Sequence, residues 1–255
     1  MTRGGIVATA VLLGLVGIHG RAAAQLVRAA GPACPAIAIT FDMCPVRTGG
    51  FDAPLIETLR ARRIPATFFL SGRWMQRHER ELDALLGVPF FEIGTHGETH
   101  AHLRRLGAAG QREEILAPIE WLRARRGLDS RLFRPPYGEH DEVTLRLARE
   151  LGLRVVLWSA VSGDPDPHLT AARMAGLLRE RLAPGGIVVF HANGKGRHTR
   201  EALELLYEDL TTRRGLRPLT VSELLEACPP LSPPAPPAGA ERRSAPAREI
   251  DRRRN

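Results

Sequence analysis

Two histidines four residues apart, in His96-Gly97-Glu98-Thr99-His100, have a spacing that suggests chemistry. If that segment coils helically, both imidazoles project from one face and can chelate one cation. The order His-Glu-x-x-His is absent, so this is not a zincin motif. Thr40-Phe41-Asp42 ends an apolar run with a carboxylate, and Val189-Phe190-His191 ends another with an imidazole. Phe133-Arg134-Pro135-Pro136-Tyr137-Gly138 fixes a rigid turn that displays an arginine and a tyrosine. Asp164 follows the apolar pair Leu157-Trp158. Each of these has an ordinary structural role when taken singly, as a turn aspartate or a packed histidine. Together, in this order, they supply a proton acceptor, a proton donor and a pair of nitrogen ligands.

The elements that must position these residues alternate. Short apolar runs suited to strands span Ala36–Phe41, Ala66–Leu70, Phe91–Thr95, Leu132–Arg134, Arg154–Trp158, Ile187–His191 and Arg217–Leu219. Amphipathic stretches suited to helices span Ala53–Arg62, Trp74–Leu86, Gly110–Gly127, Asp141–Leu151, Thr170–Leu182, Arg200–Arg213 and Val221–Ala227. Strand followed by helix, seven times over, implies parallel strands joined by right-handed crossovers. A closed barrel and an open doubly wound sheet both satisfy that pattern. Asp42, His96, Arg134, Asp164 and His191 fall at or just after the carboxyl ends of different strands, which is how α/β barrels assemble active sites. No dinucleotide-type glycine loop or Walker motif occurs, so a phosphate cradle has no support.

The ends of the chain differ from its middle. Arg3, the apolar run Ile6–Ile18 and Ala22-Ala23-Ala24 before Gln25 form the three parts of a secretory signal, which predicts residues 1–24 to be removed. The mature protein is then periplasmic or secreted, with no transmembrane anchor left after cleavage. Residues 229–255 are proline-rich and then arginine-rich, a composition that predicts a disordered tail. The domain is expected over 25–228. Most of the net charge of +8 sits in the two ends, so the body gives no reason to expect a nucleic-acid partner. Export permits disulfides. Cys34 and Cys44 flank an extended strand and lie too far apart to bridge, so Cys34 is expected to pair with Cys228 and leave Cys44 free. The oligomeric state is not readable.

On these residues the sequence resembles the polysaccharide deacetylase family, also called the NodB homology domain or carbohydrate esterase family 4. The matching segments are Thr40-Phe41-Asp42-Met43, His96-Gly-Glu-Thr-His100, Arg134-Pro-Pro-Tyr137, Val161-Ser-Gly-Asp164-Pro165 and Val189-Phe190-His191, over roughly Pro35 to Ala227. The resemblance implies a distorted (β/α)7–8 barrel and a metal-dependent amide hydrolase acting on an N-acetylated oligo- or polysaccharide. It implies Asp42 as general base, His96 and His100 as ligands of a divalent metal (Zn, with Co or Ni as alternatives), and His191 as general acid. Arg134 would orient Asp42, Asp164 would tune His191, and Tyr137 lies where the family offers a backbone N–H to the oxyanion.

The sequence departs from the family pattern at the metal. Met43 stands where the family has its metal-binding aspartate, and a thioether is a poor substitute for a hard carboxylate on zinc. Val161 and Pro165 replace the first Asp and the Trp of the fourth motif, and Gly97 replaces Ser or Thr. Water, Glu98 or Cys44 completes the metal shell, a different metal is used, or the chain is a glycan-binding pseudoenzyme on the same fold. Retention of Asp42, His191, Arg134 and both histidines favours an active hydrolase. Chitooligosaccharide, peptidoglycan and exopolysaccharide are all compatible substrates.

Overall fold

The computed structural model of the chain describes residues 26–47 and 49–230. The expected signal segment lies outside these residues, as does all of the expected tail beyond Pro230. Among the described residues nine strands, β1 (Leu26–Val27), β2 (Ala36–Met43), β3 (Ala66–Leu70), β4 (Phe91–Thr95), β5 (Leu132–Phe133), β6 (Arg154–Val156), β7 (Ala160–Val161), β8 (Ile187–His191) and β9 (Arg217–Leu219), form one parallel sheet. Its order is β1-β6-β5-β4-β3-β2-β8-β7, with β9 paired to the first residues of β2. Eight helices of the described residues cover it: α1 (Ala53–Ala61), α2 (Gly72–Arg77), α3 (Glu79–Leu86), α4 (Ala108–Arg126), α5 (Glu142–Glu150), α6 (Ala171–Arg181), α7 (Thr199–Glu208) and α8 (Val221–Ala227).

The sheet curls into a distorted barrel because one stretch of chain serves both of its sides. Arg154–Val156 pairs with β1 and β5, and Ala160–Val161, four residues on, pairs with β8. Between them Leu157 N–H donates to Val27 O and Ser159 N–H to Ile187 O, which bridges the two halves. The single strand expected over Arg154–Trp158 is therefore two short ones. The two-residue β1 is too short to register as a period in the sequence.

β2 is buried along its whole length, as a strand covered on both faces must be. Its two faces are chemically different. Ile37, Ile39, Phe41 and Met43 join the large apolar cluster that includes Leu55, Ile56 and Leu59 of α1. Ala38, Thr40 and Asp42 alternate onto the opposite, inner face. Gly94 in β4 is required by this closeness, since a Cβ there would lie 2.6 Å from the Phe69 ring.

Local signals set the helix ends. Asp141 with Thr144 and Thr220 with Glu223 form reciprocal capping boxes at α5 and α8, and Gly127, at φ +66°, ends α4 in the left-handed conformation. The helix expected over Trp74–Leu86 breaks at His78, whose backbone leaves helical geometry at φ −130°, ψ 49° and whose ring stacks on Trp74 at 4.9 Å. Cys34 and Cys228 are disulfide-bonded with Cα atoms 5.7 Å apart, joining the two ends of the domain; Cys44 is free and buried. Among the described residues no helix is long and apolar enough to cross a membrane.

Candidate active site

Asp42 is the penultimate residue of β2 and His191 the last of β8, and the two are register partners across the parallel pair. His96 follows β4 by one residue and Arg134 follows β5 by one. Asp164 lies in the loop after β7. The sheet thus gathers these five residues at one end of the barrel, the end to which all its strands point their carboxyl termini.

Arg134 is fully buried, and its guanidinium is held from every side. Its Nη1 donates to Asp42 Oδ1 at 2.7 Å and to Thr40 Oγ1 at 2.8 Å, while Nε and Nη2 donate to Val156 O and Leu157 O. The guanidinium also lies over the Phe69 ring, 3.9 Å from its centroid. Burial alone would raise the pKa of the Asp42 carboxyl. The charge of Arg134 and its hydrogen bond outweigh burial and hold it below the ordinary carboxylate value. Asp42 is therefore an anion with one oxygen committed to Arg134 and the other, Oδ2, turned toward His96 Nε2 at 3.6 Å.

His96 Nδ1 lies 2.7 Å from the Arg134 carbonyl. A carbonyl only accepts, so that contact assigns the proton to Nδ1 and leaves the Nε2 lone pair facing Asp42. Burial lowers the proton affinity of His96 and keeps it neutral. His100 stands in the left-handed region at φ +65°, with its ring 4.8 Å from that of His96. Its pKa falls to about 3, chiefly through burial. The loop that carries both histidines is not a helix. Glu114 of α4 clamps it, accepting from the backbone N–H of Glu98 and Thr99 and from the Thr99 hydroxyl. Sequence reasoning missed Glu114; its only signal is a carboxylate on the inward side of α4.

The second charged pair is Asp164 with His191. Asp164 Oδ1 accepts from His191 Nδ1 at 2.9 Å and from the Ser162 hydroxyl. Its Oδ2 accepts from the His191 backbone N–H at 2.7 Å and the Thr199 hydroxyl at 2.9 Å. This requires Gly196, where a Cβ would lie 1.9 Å from Thr199 Oγ1. The assigned proton on Nδ1 leaves Nε2 of His191 free of Asp164, at the open end of the barrel. Tyr137 takes φ +59° and is half-exposed, with its ring stacked on His102 at 4.0 Å and set edgewise to His100 at 4.5 Å.

The expected metal finds two of its donors and not a third. His96 and His100 are brought together, but Met43 packs in the helix-facing apolar cluster. Glu98 turns away, one oxygen accepting from Gln76 and the other buried against Gly72. Cys44 Sγ faces Lys195 Nζ at 2.9 Å. Among the described residues no group of three His, Cys, Asp or Glu is arranged to hold a metal ion. Two neutral nitrogens alone do not make a divalent centre.

The comparisons with known proteins agree with this architecture. Residues 29–156 match the model of the polysaccharide deacetylase family. An uncharacterised protein of Streptomyces coelicolor is 37% identical over 156 residues, 60% of this chain and 58% of that protein. A peptidoglycan-N-acetylglucosamine deacetylase of Bacillus cereus is 30% identical over 195 residues, 74% of this chain and 87% of the relative. In three dimensions the chain resembles a Bacillus anthracis pseudoenzyme of carbohydrate esterase family 4, with 23% identity and a TM-score of 0.71 over 79% of this chain and 69% of that one. A mutant of the same pseudoenzyme with restored enzymatic activity superposes with a TM-score of 0.72 at 24% identity, over 79% and 71% of the two chains.

Proposed function

The chain belongs to the polysaccharide deacetylase family, and from that premise we propose that it is an exported hydrolase that removes N-acetyl groups from an N-acetylhexosamine-containing glycan. The observation that carries this reading is the pairing of Asp42 with His191 on adjacent strands, each fixed by its own buried partner of opposite charge. An anion and an imidazole held side by side are the two halves of acid–base amide hydrolysis. Asp42 takes a proton from water as the water oxygen bonds to the acetyl carbon. His191 then gives a proton to the departing nitrogen, the C–N bond breaks, and acetate and the sugar amine result. Arg134 keeps Asp42 ionised and oriented, and Asp164 keeps the His191 ring in place. The backbone N–H of Tyr137 is the family's donor to the oxyanion.

Deacetylases of this family are generally metal-dependent. Since the donors here do not complete a divalent centre, no step is assigned to one. The glycan class is inferred from relatives named for peptidoglycan N-acetylglucosamine and chitooligosaccharide. Export is inferred from the tripartite segment 1–24 and from the Cys34–Cys228 bridge. Acetate release from a panel of N-acetylated glycans tests the reading, with Asp42→Asn as control. Release by the wild type and not by the variant is the expected result. A second reading, glycan binding without turnover, is favoured by the burial of Met43 away from the two histidines. Saturable glycan binding with no acetate release under any metal condition would select it.

A further inference from the structure

Among the described residues three that are not glycine adopt the left-handed region: Arg63, His100 and Tyr137. A side chain there is strained, and such residues persist where their surroundings fix them, as at functional sites. Two of the three touch, the His100 ring being edgewise to that of Tyr137 at 4.5 Å. The Tyr137 turn starts on Pro135 and Pro136 and runs on through Gly138, also left-handed at φ +71°. Gly138 N–H donates to Pro135 O and Glu139 N–H to Pro136 O, each at 3.0 Å. Those bonds flank Tyr137 and leave its side chain to another partner, His102. The His102 ring lies over the Tyr137 ring with centroids 4.0 Å apart and planes 5° from parallel. Its Nδ1 donates to both carboxylate oxygens of Glu139, at 3.1 and 3.2 Å. The backbone of His102 is anchored in turn, since Leu103 is buried with Phe133 and Leu147, and Arg105 N–H donates to His102 O. His102 thus covers one residue of the turn and is fastened to another two positions on. The pair with Glu139 is partly exposed, so it adds little as an ion pair; what it fixes is the direction of the ring.

Resting on the deacetylase reading, in which the Tyr137 N–H meets the oxyanion, we propose that His102 is a positioning residue: fastened by Glu139, it holds Tyr137 in its left-handed backbone and so aims that N–H before substrate arrives. His102 takes no part in proton transfer. As the water oxygen bonds to the acetyl carbon, the carbonyl π electrons move onto oxygen, and a donor is effective only if it already lies where that charge appears. Relaxation of Tyr137 to a negative φ would turn its N–H relative to the rest of the residue and take the donor from that place. The stacked imidazole opposes this relaxation, because the Tyr137 ring cannot stay parallel to it while the backbone beneath turns over.

Acetate release from an N-acetylated hexosamine oligomer is measured for the full chain as wild type, His102→Ala, His102→Phe, Tyr137→Gly and Tyr137→Gly with His102→Ala, with thermal melts to establish folding. The chain has two tyrosines, so NMR spectra of tyrosine-labelled protein, assigned with Tyr207→Phe, read Tyr137 directly. His102→Ala is expected to lose about 100-fold in kcat, as for a group misplaced by about 1 Å, with KM nearly unchanged as befits a contact made in the transition state. His102→Phe keeps a flat ring over Tyr137 and should recover most of the loss. Glycine takes a positive φ without support, so within Tyr137→Gly the further change His102→Ala should alter kcat by no more than about twofold. The Tyr137 Cα signal, which follows φ, should move in His102→Ala and stay in His102→Phe. A folded His102→Ala with wild-type kcat, a His102→Phe as impaired as His102→Ala, or the full loss from His102→Ala within Tyr137→Gly would each overturn the proposal. If no substrate yields acetate from wild type, the deacetylase reading fails by itself. The NMR comparison then still decides whether His102 holds Tyr137, since an unmoved Cα signal in His102→Ala rejects it.

Discussion

Arg134 and Asp42 share a 2.7 Å hydrogen bond in which the arginine is wholly buried and the carboxylate nearly so. Such a pair depends on both members, because either one left alone is an uncompensated charge in a low-dielectric interior. Arg134→Met is expected to destabilise the fold by about 3–5 kcal/mol for that reason. Arg134→Lys should lose less stability, since it keeps the charge, but it cannot also reach Thr40, Val156 and Leu157. In that variant the Asp42 carboxyl should titrate higher, and the acid limb of the pH–activity profile should move to higher pH. A profile that does not move, in a folded variant, would mean that Arg134 does not set the state of Asp42.

The Asp164 carboxylate accepts four hydrogen bonds, two of them from His191. Asp164→Asn keeps the shape but presents an amide to Nδ1 and removes the negative charge beside the ring. Acetate release should fall by about 10²–10⁴-fold, as for other displaced acid–base partners. The KM should change little. Equal activity in the Asp164→Asn variant, measured at several pH values, would remove His191 from the general-acid role.

The Cys34–Cys228 bridge spans 194 residues of chain. Removing it through Cys34→Ser with Cys228→Ser is expected to cost about 2–5 kcal/mol, read as a lower urea midpoint. Cys44, buried against Asn193 and Lys195, should react with an alkylating agent only after unfolding. Rapid labelling of Cys44 in the native protein would contradict the closed loop that surrounds it.

Much of this arrangement could be read in the sequence. Runs such as Ala66–Leu70 and Ile187–His191 are apolar, short and bounded by polar residues, so strand type and extent follow from pattern alone. The barrel end that holds Asp42, His96, Arg134 and His191 follows from their place after those strands. What was not legible depends on contacts distant in sequence. The division of Arg154–Val161 between two sides of the sheet requires β1 and β8 as partners. The clamp of Glu114 on the His96–His100 loop crosses from α4, and the contact of Lys195 with Cys44 joins residues 151 apart. The sequence also does not tell which side of β2 Met43 takes. The strand continues through residue 43, so its alternation sends the thioether to the helices.

His100 and His96 both have lowered proton affinity in the folded state, His100 to about 3 from an ordinary value of 6.5. Between those two pH values the unfolded chain binds more protons than the native one, so stability rises with pH across the window. The contribution is complete above pH 6.5 and is lost as pH falls toward 3. Asp42, also lowered, adds loss of the same sign at the acid end. Urea midpoints should therefore fall steadily from pH 7 to pH 4, with a slope of up to about 1.4 kcal/mol per pH unit for each such proton. His100→Gln, which cannot titrate, should flatten the slope; an unchanged slope would place the acid sensitivity elsewhere.

Met43→Asp tests how strictly the strand fixes the two faces of β2. In the observed geometry the new carboxylate enters the cluster of Ile39, Phe41 and Leu55 with no partner. Burying an unpaired carboxylate there should cost about 3 kcal/mol or more. If instead the last residue of β2 turns over, the carboxylate reaches the two imidazoles. In the observed geometry zinc has little to gain from the substitution, since the carboxylate lies in the apolar cluster. We expect Met43→Asp to melt below wild type and zinc to leave that melt unchanged. A melting point that rises on adding zinc would show that the carboxylate reaches the histidines.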